Sequence, residues 1–231
     1  MSLPTNNPHV KKMLLRSMLL VGIILLLDQI LKIYIKTNFS LGQEVFLLGK
    51  YFRLYFIENN GMAFGMQFGG VTGKIILSVI RVVAVGVIFY IILKAIRNNE
   101  KKILIISLSL IMAGALGNII DSAFYGLIFS ESHFMQVAHA FPEGGGYAGF
   151  LQGKVVDMFY APVVDTIWPS WVPFVGGNEL VFFRPIFNLA DASITTGVLM
   201  LLVFYNKIFK KNKKEIIPTT EVETEETIVS E

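Results

Sequence analysis

The chain has 231 residues, of which 54% are hydrophobic and only 16% charged, with a mean hydropathy of +0.61. A soluble domain carries about a quarter of its residues charged, so this composition is that of an integral membrane protein. The absence of cysteine excludes disulfides, thiolate zinc sites and a cysteine nucleophile. The small net charge of +3, with basic residues at the ends of apolar segments, excludes the aromatic-studded basic surface that nucleic-acid binding needs.

Residues 1–12 form a polar head ending in Lys11 and Lys12, with Arg16 close behind. The apolar run over about 13–35 is long enough to span a bilayer, which takes about 20 helical residues. It exceeds a signal-peptide core and no small-x-small cleavage site follows it, so it is expected to be retained. Between 37 and 73 the chain turns to short β-branched and aromatic stretches, 44–48 and 51–57, separated by Gly49-Lys50. That pattern predicts a small sheet at the membrane surface. A second span is predicted over about 74–93, with Arg81 inside it, expected to snorkel outward and with pairing to an acid as the alternative. A third is predicted over 103–124, where Gly114-Ala115-Leu116-Gly117 permits close helix packing. Residues 125–185 hold no stretch long enough to span and are expected to form a long loop region. The last span is predicted over about 186–208. Its basic end leads into a Thr/Glu-rich tail, 209–231, expected to be disordered because it has nothing to bury.

The expected architecture is therefore a mainly α membrane protein with four transmembrane helices, a small β-sheet and a long loop region, forming one domain over 1–208. Lysine and arginine concentrate in the head, near residue 97 and after residue 207. An even number of spans puts all three on the cytoplasmic side, and both termini with them. The 37–73 and 125–185 segments then face outward.

Polar residues within such a chain need a reason, because ionisable groups in or beside a bilayer are expensive and mark function. Asp28 and Lys32 are four apart and share a helix face; an ion pair near the headgroups is the bland reading. Asn59 in Glu58-Asn59-Asn60-Gly61 reads as a turn, or as an amide offered to a peptide backbone. Asn118 and Asp121 are three apart and can face one interior. Asp157 lies in an apolar loop sequence, Val155-Val156-Asp157-Met158-Phe159. Asp191 heads the last span, where it or Asn188 could cap the helix. Asp165, His133 and His139 read as solvated loop residues.

Five blocks in order, Asp28-Gln29-Ile30-Leu31-Lys32, Asn59-Asn60-Gly61-Met62-Ala63-Phe64, Gly114 through Asp121, Val155 through Phe159 and Phe187-Asn188-Leu189-Ala190-Asp191, resemble the lipoprotein signal peptidases (signal peptidase II), the membrane aspartyl proteases of bacteria. The resemblance covers about residues 13–208. It implies a catalytic dyad of Asp157 and Asp191, with Asn59, Asn118, Asp121 and Asn188 positioning substrate or dyad, and Asp28 and Lys32 in support. It also implies a diacylglyceryl prolipoprotein substrate cut before its lipidated cysteine, contact with membrane lipid, and location in the bacterial inner membrane with the site toward the outer face. No cofactor or metal is required, and a monomer is expected. The chain has Ser122 where the family usually has arginine, for which Arg184 is a candidate replacement, and the segments flanking Asp157 are longer than usual. The rival readings are a proton-coupled transporter, with Asp28, Asp121 and Asp191 as a relay, and a non-catalytic assembly factor that binds lipidated peptides.

Overall fold

The structure is a computed structural model that describes residues 7–49, 51–60 and 70–209. Helix α1 (Pro8–Asn38) starts where the Asn7 side chain accepts from the His9 N–H at 2.9 Å, with Pro8 in the first turn. The proline's missing N–H costs nothing there. Leu15, Leu19, Ile23, Leu26 and Ile30 point out of α1 and are exposed, whereas Ser17, Asp28, Lys32 and Lys36 lie on its buried stripe. A helix polar within and apolar without reverses the arrangement of a soluble protein, and lipid is the medium its outer face suits. Helix α2 (Gly70–Arg97) likewise exposes Ile76, Val79, Ile80, Val83 and Val87.

Helix α3 (Lys102–Ile120) is the central element, packed on α1, α2 and α5 (Leu189–Val203). It runs into a π-helical turn, Asp121–Tyr125, and a short helix α4 (Gly126–Ile128). Among the described residues three helices, Pro8–Asn38, Thr72–Arg97 and Lys102–Ile128, are long and apolar enough to cross a membrane. The fourth crossing differs from the predicted 186–208. Ile186–Phe187 is a strand, α5 begins only at Leu189, and the helix is interrupted at Phe204 before α6 (Tyr205–Phe209). Phe204 N–H to Met200 O at 3.1 Å and Ile208 N–H to Phe204 O at 2.8 Å carry the helical ladder across that break. Together α5 and α6 give roughly 30 Å of helix, about one hydrocarbon thickness.

The predicted hairpin is present as β1 (Glu44–Leu48) and β2 (Phe52–Asn59). Gly49 has φ +53° in the connecting turn, a conformation glycine adopts without steric cost. The segment 125–185, expected to be loop, is a correction: it supplies β3 (Val155–Tyr160) to the same sheet, and a separate hairpin, β4 (Val164–Ile167) with β5 (Glu179–Phe182). The four-stranded sheet has the order β1-β2-β3-β6, where β6 is Ile186–Phe187, and all its pairings are antiparallel. One sheet face carries Phe56, Val156 and Met158 onto Ile35, Phe39, Tyr125 and Phe129, which seats the sheet on the ends of α1 and α4. At the other end of the bundle Met13, Val21, Ile92, Ile96, Ile105 and Met112 form a second core. Lys50 of the expected turn, residues 61–64 of the second block, and the tail from 210 onward lie outside the described residues.

Candidate active site

Helices α3 and α5 touch closely where α3 carries glycine, at Gly114 and Gly117. A Cβ on Gly114 would collide with the Ala190 carbonyl, and one on Gly117 would come within 2.7 Å of Asp28 Oδ2. The small residues singled out in the sequence therefore bring the first turn of α5 against Asp28. Asp28 Oδ1 accepts the Ala190 N–H at 2.9 Å. It thus satisfies an orphan donor and places negative charge at the positive end of the helix. Asn188 is the N-cap of the same helix and accepts the Asp191 N–H at 2.9 Å, and Asp191 Oδ2 accepts the Asn188 N–H in return at 3.5 Å. The two capping alternatives are thus both realised, as the two halves of one capping box.

Around this turn the polar side chains join in one network. Lys32 Nζ lies 2.9 Å from Asp28 Oδ2, 2.8 Å from Asp121 Oδ2 and 3.0 Å from Asn118 Oδ1, with Lys32 fully buried. Asp28 and Lys32 are paired as the sequence suggests, and both are buried within the protein. Gln29 Nε2 donates to Asp121 Oδ1 at 2.9 Å, and the Tyr125 hydroxyl donates to Gln29 Oε1 at 3.1 Å. Asp121 Oδ2 also accepts the Val156 N–H at 3.3 Å, tying β3 to the π-helical turn beside Asp157.

Two amides then aim at two carboxylates. Asn118 Oδ1 accepts from Lys32 and, at 3.2 Å, from Asn188 Nδ2, so Asn118 Nδ2 is the group left to donate to Asp191 Oδ1, at 2.8 Å. Asn188 Oδ1 is held by the Asp191 N–H, so Asn188 Nδ2 faces Asp157 Oδ1, at 2.7 Å. The surroundings thereby set both amide orientations. Asn59 Nδ2 donates to the other oxygen, Asp157 Oδ2, at 3.3 Å. Asp157 is 2% exposed, whereas Asp191 is half-buried. Burial first, and then the nearby negative charge of Asp191, push the Asp157 carboxyl up to about 7, against the pull of the Asn59 and Asn188 hydrogen bonds and of Lys32. A pair of this kind can hold one proton near neutral pH and pass it.

All eight residues expected at the site, Asp28, Lys32, Asn59, Asn118, Asp121, Asp157, Asn188 and Asp191, belong to this assembly. The sequence reading missed a second charged cluster, next to Asn59 in the chain at Glu58, that is buried at Lys36 and Glu58 and reaches the surface at Glu131. Lys36 Nζ pairs with Glu58 Oε1 and lies 2.9 Å from Ser132 Oγ, while Lys154 Nζ lies 3.4 Å from Glu58 Oε2 and 3.0 Å from Glu131 Oε1. The four-residue spacing of Asp28, Lys32 and Lys36 on an apolar helix was the signal for it. Asp165, read as solvated, is instead 2.6 Å from Arg53 Nη2. Arg184 does not stand in at Ser122: it lies on a groove over the sheet, whereas Ser122 is buried and donates to Asn118 O at 3.0 Å. Arg81 is half-buried on the α2 stripe that includes Ser78 and Val85, and the charges acting on it are Asp191, Asp121 and Asp157. His133 and His139 are exposed, as expected.

The model of the family described as signal peptidase (SPase) II matches residues 20–207. A lipoprotein signal peptidase of Porphyromonas gingivalis is 49% identical over 187 residues, covering 80% of each chain. One from Amoebophilus asiaticus is 38% identical over 180 residues, covering 77% of this chain and 72% of its own. In fold, the chain resembles a bacterial membrane enzyme determined by the in meso method at 2.3 Å resolution, with a TM-score of 0.56 at 24% identity over 86% of this chain and 93% of that one. With a family model spanning both aspartates and every element that carries the network, the chain belongs to the signal peptidase II family of peptidases.

Proposed function

We propose that the protein is an aspartic endopeptidase that removes the signal peptide from diacylglyceryl prolipoproteins, cutting before the lipidated cysteine, with Asp157 and Asp191 as the catalytic pair. The observation that carries this reading is the matched pair of amides: Asn188 donates to Asp157, Asn118 donates to Asp191, and the two asparagines bond each other. The relatives' name, lipoprotein signal peptidase, supports the substrate class.

The chemistry follows from the unequal surroundings of the two acids. Asp157, the more buried, holds the proton, and Asp191, in the first turn of a helix whose dipole favours negative charge, is the base. Asp191 takes a proton from a water as its oxygen bonds to the scissile carbonyl carbon, and Asp157 gives its proton to the carbonyl oxygen. Collapse of the diol breaks the C–N bond, the proton on Asp191 passes to the leaving amine, and a hydroxyl proton returns to Asp157. Asn118 and Asn188 hold the carboxylates through these steps, and Asn59 steadies Asp157. Lys32 balances Asp28 and Asp121 without taking part in proton transfer.

Location follows from charge and lipid. Basic residues at 11, 12 and 16, near 97 and at 207 belong on the cytoplasmic side of the bacterial inner membrane, so that the sheet and both aspartates face outward. There the diacylglyceryl chains of the substrate can stay among the lipids while the peptide reaches the site. The enzyme acts as a monomer, since one chain supplies every side chain of the network. A transporter would distribute its acids through the membrane depth, whereas these gather at one end of the bundle.

Cleavage of a synthetic diacylglyceryl prolipopeptide in detergent made with H₂¹⁸O tests the reading. One ¹⁸O is expected in the new carboxyl group of the signal peptide after a single turnover, with no adduct on the protein by mass spectrometry. A trapped acyl-enzyme, or binding without shortening, contradicts it.

A further inference from the structure

The sheet has a second face, and it is not apolar. Val156 and Met158 face the core with Phe56, so Asp157 between them points to the other side with its antiparallel partner Ile57. Across the register shift between Leu54 and Ile57 that side continues through Tyr55, Arg53 and Tyr160, which line one groove with Ile57. Along that side runs a groove of about 580 Å³ lined by Glu44, Arg53, Tyr55, Ile57, Tyr160 and Arg184, among others. That volume lies in the range of sites that hold a ligand. The groove leads away from Asp157 toward Tyr160 and then Arg184, two residues ahead of Ile186, which pairs with Tyr160.

Its charges are not equivalent. The Arg53 guanidinium is shared between Glu44, at 3.2 Å, and Asp165, at 2.6 Å. Arg184 is exposed, and its side chain has no partner among the described residues. It is the guanidinium in the groove that is open to a new carboxylate. Of the two sides of a scissile bond held at Asp157, the apolar signal segment suits the helices, and the chain beyond the cut suits a polar groove outside them. At about 3.3 Å per residue, the distance from Asp157 to Tyr160 and the Arg184 side chain is about three to five residues of extended peptide.

We propose that this groove is the subsite for the substrate chain that follows the scissile bond, and that Arg184 within it selects an acidic side chain at about the third to fifth residue after the cut. The inference rests on the proteolytic reading above and adds a sequence preference to it. Arginine suits the task because its planar fork can meet a carboxylate through two parallel hydrogen bonds.

The test compares kcat/KM for two diacylglyceryl prolipopeptides that differ only at those positions, Asp in one and Asn in the other. The wild-type enzyme is expected to favour the acidic peptide by roughly two- to fivefold, as an exposed ion pair allows. Raising the salt should shrink that ratio. Arg184→Gln is expected to bring it to about one, Arg184→Lys to keep part of it, and Arg184→Glu to invert it. Because each value is a ratio measured on one preparation, a partly inactive variant does not blur the result. Equal rates for the two peptides in the wild type, or a preference that survives Arg184→Gln, overturn the subsite alone. Cleavage of neither peptide overturns both this and the reading beneath it. If the groove instead seats anionic lipid headgroups, added phosphatidylglycerol will affect both peptides alike and leave the wild-type ratio at one, which also overturns it.

Discussion

Asp157 shows at the scale of one side chain how this site sets function against stability. A carboxyl that is 2% exposed beside a second carboxylate sits up to about 7, for reasons of burial first and the Asp191 charge second. The folded protein therefore binds that proton more tightly than the unfolded chain, whose aspartate titrates near 3.9. The stability this contributes is full below the unfolded value and is lost as the pH rises through the folded one. Asp157→Asn, which keeps the shape and removes the charge, should therefore raise the stability of the detergent-solubilised protein, by about 2 kcal/mol more at pH 8 than at pH 5. Tm measured at the two pH values checks this. The sequence exposed Asp157 as a lone acid among apolar neighbours, but its partners Asn59 and Asn188 are 98 and 31 residues away, and composition carries no trace of such distances.

Between elements, the controlling contact is that of α3 with α5. The glycines at 114 and 117 were legible as a close-packing signal, and the structure spends them on the Ala190 carbonyl and the Asp28 carboxylate. Gly117→Ala should push Asp28 off the Ala190 N–H and cost about 1–3 kcal/mol, with a fall in turnover because Asp191 stands on the same helical turn. Gly22→Ala on α1, where an added Cβ meets nothing within 4 Å, should leave turnover in place. Thermal unfolding and peptide cleavage of the two variants separate these outcomes. The strand β3 was not legible, and the reason is physical: Val155, Val156, Asp157 and Met158 are all buried, so the alternation that marks a half-exposed strand is missing. Ile186 and Phe187 were absorbed into the last span because they continue its apolar run, and only pairing with β3 takes them out of it. Spans α1, α2 and α3 were readable because length and apolarity suffice to define a membrane helix.

Over the whole molecule, the bundle and the sheet each hold half of the site. α5 brings Asn188 and Asp191, α3 brings Asn118 and the π-helical turn brings Asp121; the sheet brings Asn59 and Asp157, and α1 threads Asp28, Lys32 and Lys36 between them. Buried ions of this kind are costly unless matched, and here Lys32 faces Asp28 and Asp121, while Lys36 faces Glu58. The order of the five sequence blocks carried this assembly in outline; the pairings, and the groove with Arg184, needed coordinates. The account stands on the two aspartates acting together, and the most direct measurement is the cleavage rate of a diacylglyceryl prolipopeptide by purified Asp157→Asn and Asp191→Asn proteins, each shown by its Tm to be folded. A loss of at least about 10²–10⁴-fold in each is the predicted result, and processing at the wild-type rate by either folded variant would contradict it.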